Sequence, residues 1–156
     1  MIARRAALKA VLAAPLVAFV PRADARDYTS AAEVFAEIDR LEGDLDARLA
    51  GLAANFPGAA SLAASVRADH ERHRRARAAL RRRLHLAEAA TVSGPAGPAS
   101  VDALRALAQD LVHAYAEGLP AIKDAQAVDV LARHMVDDAR HLAVLQMWME
   151  TEQPGG

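Results

Sequence analysis

The chain of 156 residues contains no cysteine. No disulfide and no thiolate metal ligand enters its chemistry. No long hydrophobic run is present either. The longest uncharged apolar stretch, Ala10 to Val20, has 11 residues, against roughly 20 for a helix that spans a bilayer. There is no Ser-His-Asp order, no phosphate-binding loop and no nucleotide motif. Nothing in the pattern reads as a strand.

What is present begins with a leader. Arg4, Arg5 and Lys9 precede the apolar stretch, and Ala23-Asp24-Ala25 follows it. A charged start, a short apolar core and small residues at a cut are the three parts of a secretory signal. Arg4-Arg5-Ala6-Ala7-Leu8-Lys9 resembles the twin-arginine motif Arg-Arg-x-x-Leu-Lys, with Ala7 where an aromatic usually stands. An ordinary secretory signal with two arginines is the other reading. The expectation is a signal peptide over residues 1–25 and a mature domain over 26–156, periplasmic or secreted, with no transmembrane anchor after cleavage. Loss of Arg4, Arg5, Lys9, Arg22 and Asp24 turns 19 basic and 20 acidic residues into 15 and 19. That acidic balance points away from nucleic acid.

The mature part reads as four helices. Ser30 and Glu33 form a capping box. Val34, Ile38, Leu41, Leu45, Leu49, Leu52 and Phe56 then recur at spacings of 3 and 4 until Pro57-Gly58 breaks the pattern. A second helix is predicted over 59–88 and a Gly/Pro-rich loop over 91–98. Ser100 caps a third helix carrying Leu104, Leu107, Leu111, Tyr115, Leu119 and Ile122. Gly118 and Pro120 disturb its end near Lys123-Asp124. A fourth is predicted over 125–150. Four such stripes bury one another as an all-α, antiparallel four-helix bundle. The loop between the second and third helices permits a long crossover as well as up-down-up-down order.

The candidate chemistry lies where polar residues interrupt the stripes. At about 100° per residue, the second helix's face runs Leu62, Val66, Asp69, His73, Ala76, Leu80, Leu84, with Asp69 and His73 at its centre. Asp138 lies inside the fourth stripe, flanked by His134 and His141. Glu42 lies at the margin of the first. The third helix offers Tyr115 on its face, with Asp110 about 120° away. Counted from the two helix turns, Glu42, His73 and Asp138 fall near mid-bundle. A buried carboxylate needs a partner or a metal. One reading is a metal site of Asp69, His73, Asp138, His141 and Glu42, whose oxygen and imidazole donors suit iron, manganese or zinc. The other is a metal-free Asp–His hydrogen-bond network that fixes helix register in a structural or interaction bundle.

Four helices with inward carboxylates and histidines resemble the ferritin-like superfamily. Met135 to Leu145, with Asp138 and His141, looks like that family's Glu-x-x-His segment. Ala68-Asp69-His70-Glu71-Arg72-His73 is a displaced counterpart that offers Asp69-x-x-x-His73 or His70-x-x-His73, not Glu-x-x-His. The resemblance implies a ferritin-like bundle. A dinuclear site wants about four carboxylates and two histidines, and the third helix supplies none of the acids, so a single metal, or a site lost while the fold was kept, fits better.

The remaining features read as surface. Seven arginines fall between Arg72 and Arg83, and most of them point away from the stripe, as a solvated outer face. The third and fourth helices with the tail carry nine acids against four bases. Contact between these halves, within one chain or in a homo-oligomer, is one use of the two faces. An envelope protein partner or anionic lipid headgroups are others. His85, His113 and Glu117 are expected at the surface, and Trp148 over the bundle's end.

Overall fold

The computed structural model describes residues 25–88 and 100–152. The signal peptide expected over 1–25, Ala25 apart, and the loop expected over 91–98 lie outside the described residues. Among the described residues there is no strand and there are four α-helices: α1 Ala31–Asn55, α2 Ala60–Arg83, α3 Val101–Gly118 and α4 Ala125–Glu152. No helix among them is long and apolar enough to cross a membrane.

The helix ends follow their capping residues. Ser30 Oγ accepts the Glu33 N–H at 3.3 Å, and the Glu33 carboxylate reaches back to the Thr29 N–H at 2.8 Å. Pro57, whose ring cannot continue α1, opens a single 3₁₀ turn, Pro57–Ala59, that leads into α2. Ser100 Oγ accepts the Ala103 N–H at 3.1 Å at the head of α3. A second 3₁₀ turn, Leu119–Ala121, follows Gly118. Asp124 Oδ1 takes the Ala127 N–H at 2.8 Å and starts α4.

One boundary differs from the sequence expectation. α2 stops at Arg83, five residues before Glu88. His85 takes the left-handed conformation at φ 56°. Its N–H then reaches the Arg82 carbonyl, and that of Leu86 reaches the Arg81 carbonyl. This is a Schellman termination, and it satisfies carbonyls that the helix end would otherwise leave open.

α1 packs against α2 and α3, and α4 packs against α3 and α2. The apolar core is built by Phe35, Ile38, Leu49 and Leu52 of α1, Leu104, Leu111 and Tyr115 of α3, and Leu131, Leu142 and Leu145 of α4. α2 contributes little to it beyond Ala63, Val66 and Leu80. Its remaining buried residues are His70, His73, Arg77 and Arg81. The face of α2 is thus turned by about 50° from the expected one, with His70 and Arg77 inward in place of Asp69 and Ala76. Of the seven arginines, Arg77 and Arg81 are buried, while Arg72, Arg75, Arg82 and Arg83 are exposed. Glu117 and His113 are half-buried rather than at the surface, while His85 is exposed. Trp148 is half-buried against Phe56, ring centroids 6.0 Å apart, and covers the α1–α2 turn.

Candidate metal centre

α1 lays three acids, Asp39, Glu42 and Asp46, along the edge that faces α2. At spacings of 3 and 4 they share one side of the helix. α2 answers with Arg81, Arg77 and His70. Arg77 is fully buried and binds Glu42 through both terminal nitrogens, Nη1 to Oε1 at 2.8 Å and Nη2 to Oε2. Its Nε binds Asp39 at 2.8 Å, and Arg81 binds the other oxygen of Asp39. The Tyr115 hydroxyl, from α3, donates to Glu42 Oε1 at 3.2 Å. Burial raises the Glu42 carboxyl, but the approach of His73 and the Arg77 guanidinium outweigh it and hold it down at about 2.

Beside this ion pair lies a cluster centred on Asp138 of α4, which is 2 % exposed. His70 Nε2 stands 3.2 Å and His141 Nδ1 3.3 Å from its Oδ1. The outer nitrogens of both rings are held by carboxylates. His70 Nδ1 lies 2.6 Å from Asp46 Oδ1, and His141 Nε2 lies 2.8 Å from Asp69 Oδ2. A carboxylate only accepts, so each outer nitrogen carries its hydrogen. The two inner nitrogens therefore present lone pairs to an anionic oxygen unless a positive particle stands between them.

That particle is either a proton on each ring or a metal cation. Burial lowers the His70 pKa, but its hydrogen bonds to Asp138 and Asp46 outweigh this and raise it to about 10. Burial is opposed in the same way at His141, whose pKa is raised by Asp138 and Asp69. Burial would raise the Asp138 carboxyl, and the two imidazoles hold it well below its usual range instead.

His73 sits on the other side of Asp138. Its Nδ1 is 3.4 Å from Glu42 Oε1 and 3.7 Å from Asp138 Oδ2, and its ring stacks on His134 at 4.0 Å. Neither of its ring nitrogens, nor Asp138 Oδ2, makes a hydrogen bond. Burial, with His73 and Arg77 adding like charge, lowers His134 to about 4, so it is neutral near pH 7.

Two groups among the described residues thus have donor atoms close enough to share a metal ion: His70, Asp138 and His141, and Glu42, His73 and Asp138. Of the residues expected as ligands, Asp138 belongs to both groups, His141 to the first, and Glu42 and His73 to the second. Asp69 belongs to neither. It is half-buried and holds the far nitrogen of His141 while Arg72 pairs with it. The sequence pattern offers His70 only through His70-x-x-His73 and leaves it off the core face, and it passes over Asp46 and Arg77. The acid ladder Asp39–Glu42–Asp46 facing an arginine-rich helix is the signal that would have found them. No protein-family model matches the chain, and no curated protein or solved structure matches it either.

Proposed function

We propose that the chain is an exported bundle of antiparallel, ferritin-like order that binds one divalent transition-metal ion (iron, manganese or zinc) through His70, Asp138 and His141. The observation that carries this reading is the pair of outer carboxylates. Asp46 and Asp69 each fix the far nitrogen of an imidazole whose near nitrogen faces one oxygen of Asp138. Carboxylate–histidine–metal relays have this form. Donors at about 2.1 Å from a metal lie about 3.0 to 3.4 Å from one another, and the two nitrogens lie 3.2 and 3.3 Å from Asp138 Oδ1. Two imidazoles and one carboxylate leave further coordination positions for water or a ligand. Glu42 is the weaker candidate, because a guanidinium already neutralises it.

Pairings between the helices support the antiparallel order. Asp39 and Glu42 meet Arg81 and Arg77, while Asp46 meets His70. Asp69, His70 and His73 meet residues 141, 138 and 134 in that order. Val34 meets Gly118, and Glu42 meets Tyr115. In this arrangement α2 ends and α3 begins at opposite ends of the bundle. Export rests on Arg4-Arg5 and Ala23-Asp24-Ala25.

The metal-free network is the second reading, and the placing of His70 between Asp46 and Asp138, which raises its pKa to about 10, favours it. Elemental analysis of the protein purified from the periplasm separates the two. One ion per chain, lost in Asp138→Asn and in His141→Ala, is expected. No stoichiometric metal, together with an unchanged Tm on adding zinc, iron or manganese to chelated protein, would leave only the network.

A further inference from the structure

Ala23-Asp24-Ala25 places a signal-peptidase cut between Ala25 and Arg26. The structure puts the nitrogen that this cut would free in a specific place. Arg26 N lies 3.1 Å from Glu117 Oε2 near the end of α3, and the Arg26 side chain binds Glu37 of α1. Residues 25–27 are exposed and non-helical, so the bond stays reachable in the folded bundle. A peptide N–H supplies one hydrogen, and it uses one oxygen of Glu117. The other, Oε1, is buried and makes no hydrogen bond. A buried carboxylate oxygen left open is costly, and an ammonium has three N–H groups where the amide has one.

We infer that Glu117 is the receptor for the α-ammonium of the processed chain, formed when signal peptidase cuts between Ala25 and Arg26. Water cleaves the amide: the C–N bond breaks, the carboxylate stays on Ala25, and the nitrogen, protonated, stays on Arg26. A hydrogen bond from a neutral amide thereby becomes an ion pair that pins the new N-terminus across the start of α1 and the end of α3. Processing thus completes the fold at this corner. The inference rests on the export reading and is independent of the metal.

The charged groups facing that nitrogen are Glu117 from α3, Glu37 from α1, which Arg40 also binds, and the Arg26 side chain, with Tyr28 beside them. His113 lies one turn before Glu117. The two glutamates favour the ammonium, and the two arginines oppose it.

The chain itself supplies a clean probe. Beyond the leader, Lys123 is its one lysine, so in a Lys123→Arg background the α-amine is the sole primary amine. The full-length precursor is expressed, the processed protein is isolated, and its mass and N-terminal residue are determined. Acetylation of the α-amine is then followed against pH. We expect a chain beginning at Arg26 whose half-reaction lies about one pH unit above the ordinary α-amino value. Glu117→Gln should restore the ordinary value. Acetylation should lower Tm, and should not do so in Glu117→Gln. A chain that is never cut overturns the export reading. A chain cut at Arg26 whose amine titrates identically with and without the Glu117→Gln substitution overturns the receptor role alone. If Glu117→Gln fails to fold, the acetylation shift and Tm loss of the unsubstituted processed protein still decide: neither appearing sinks the inference.

Discussion

Arg77 and Glu42 form a two-pronged ion pair with no exposure on either side chain. Burying a charge is tolerable only while its partner remains. Arg77→Met should therefore lower the unfolding free energy by about 3 to 5 kcal/mol, read from urea or thermal denaturation. The double variant Arg77→Met with Glu42→Leu should recover much of that loss. Single-variant losses that simply add in the double variant would show that the two side chains do not act as a unit.

The outer carboxylates of the proposed metal centre make a graded prediction. Asp46→Asn and Asp69→Asn should each weaken metal affinity about 10- to 100-fold without changing the stoichiometry. His141→Gln should remove binding. His73→Gln should affect it much less, since His73 lies on the Glu42 side of Asp138. Titration calorimetry on chelated protein compares the four. If His73→Gln costs as much as His141→Gln, the ion sits between Glu42 and Asp138 instead.

Much of the scaffold was legible in the sequence because caps and breakers are local. Ser30, Ser100, Pro57 and Pro120 each act on the turn in which they stand. The layer of Glu42, His73 and Asp138 was legible too, since height along a helix needs only counting. The rotation of α2 was not. Its large apolar residues are few, and the residues that point inward include two histidines and two arginines, so hydrophobicity gives no fix on the face. What orients α2 is charge pairing with Asp39, Glu42 and Asp46 of another helix, a relation that no single-helix pattern contains. For the same reason Asp69 took the place that belongs to His70.

In the metal-free protein, pH should act on stability from both sides. The Glu42 and Asp138 carboxyls titrate lower in the fold than in the unfolded chain. Their contribution is present above the ordinary carboxylate range and is lost as pH falls, for Glu42 from 4.5 toward about 2. His134, lowered from 6.5 to about 4, adds a loss over that interval because its charged form favours unfolding. His70 runs the other way. Raised from 6.5 to about 10, it contributes fully below 6.5, and that contribution is lost progressively as pH rises to about 10. Urea midpoints should therefore peak near pH 6.5 and fall on both sides. A midpoint that holds flat from neutrality to about pH 10 would contradict a protonated His70.

The crossing of α1 and α3 makes a steric prediction. A Cβ on Gly118 would stand 2.5 Å from Val34 Cγ1. Gly118→Ala should lower stability by about 1 to 3 kcal/mol through overpacking, and Val34→Ala in the same chain should offset part of it. A Gly118→Ala chain that melts with the parent would show that the two helices separate freely at this point.

The polar layer draws on every helix: Glu42 from α1, His70 and Arg77 from α2, Tyr115 from α3, Asp138 from α4. Peeling any one of them away would strand charges in an apolar interior. A half-assembled hairpin is therefore a poor resting place for this chain, and its helices should gain protection from hydrogen exchange and from proteases together. Clipping inside the bundle would then have to wait for the whole molecule to open.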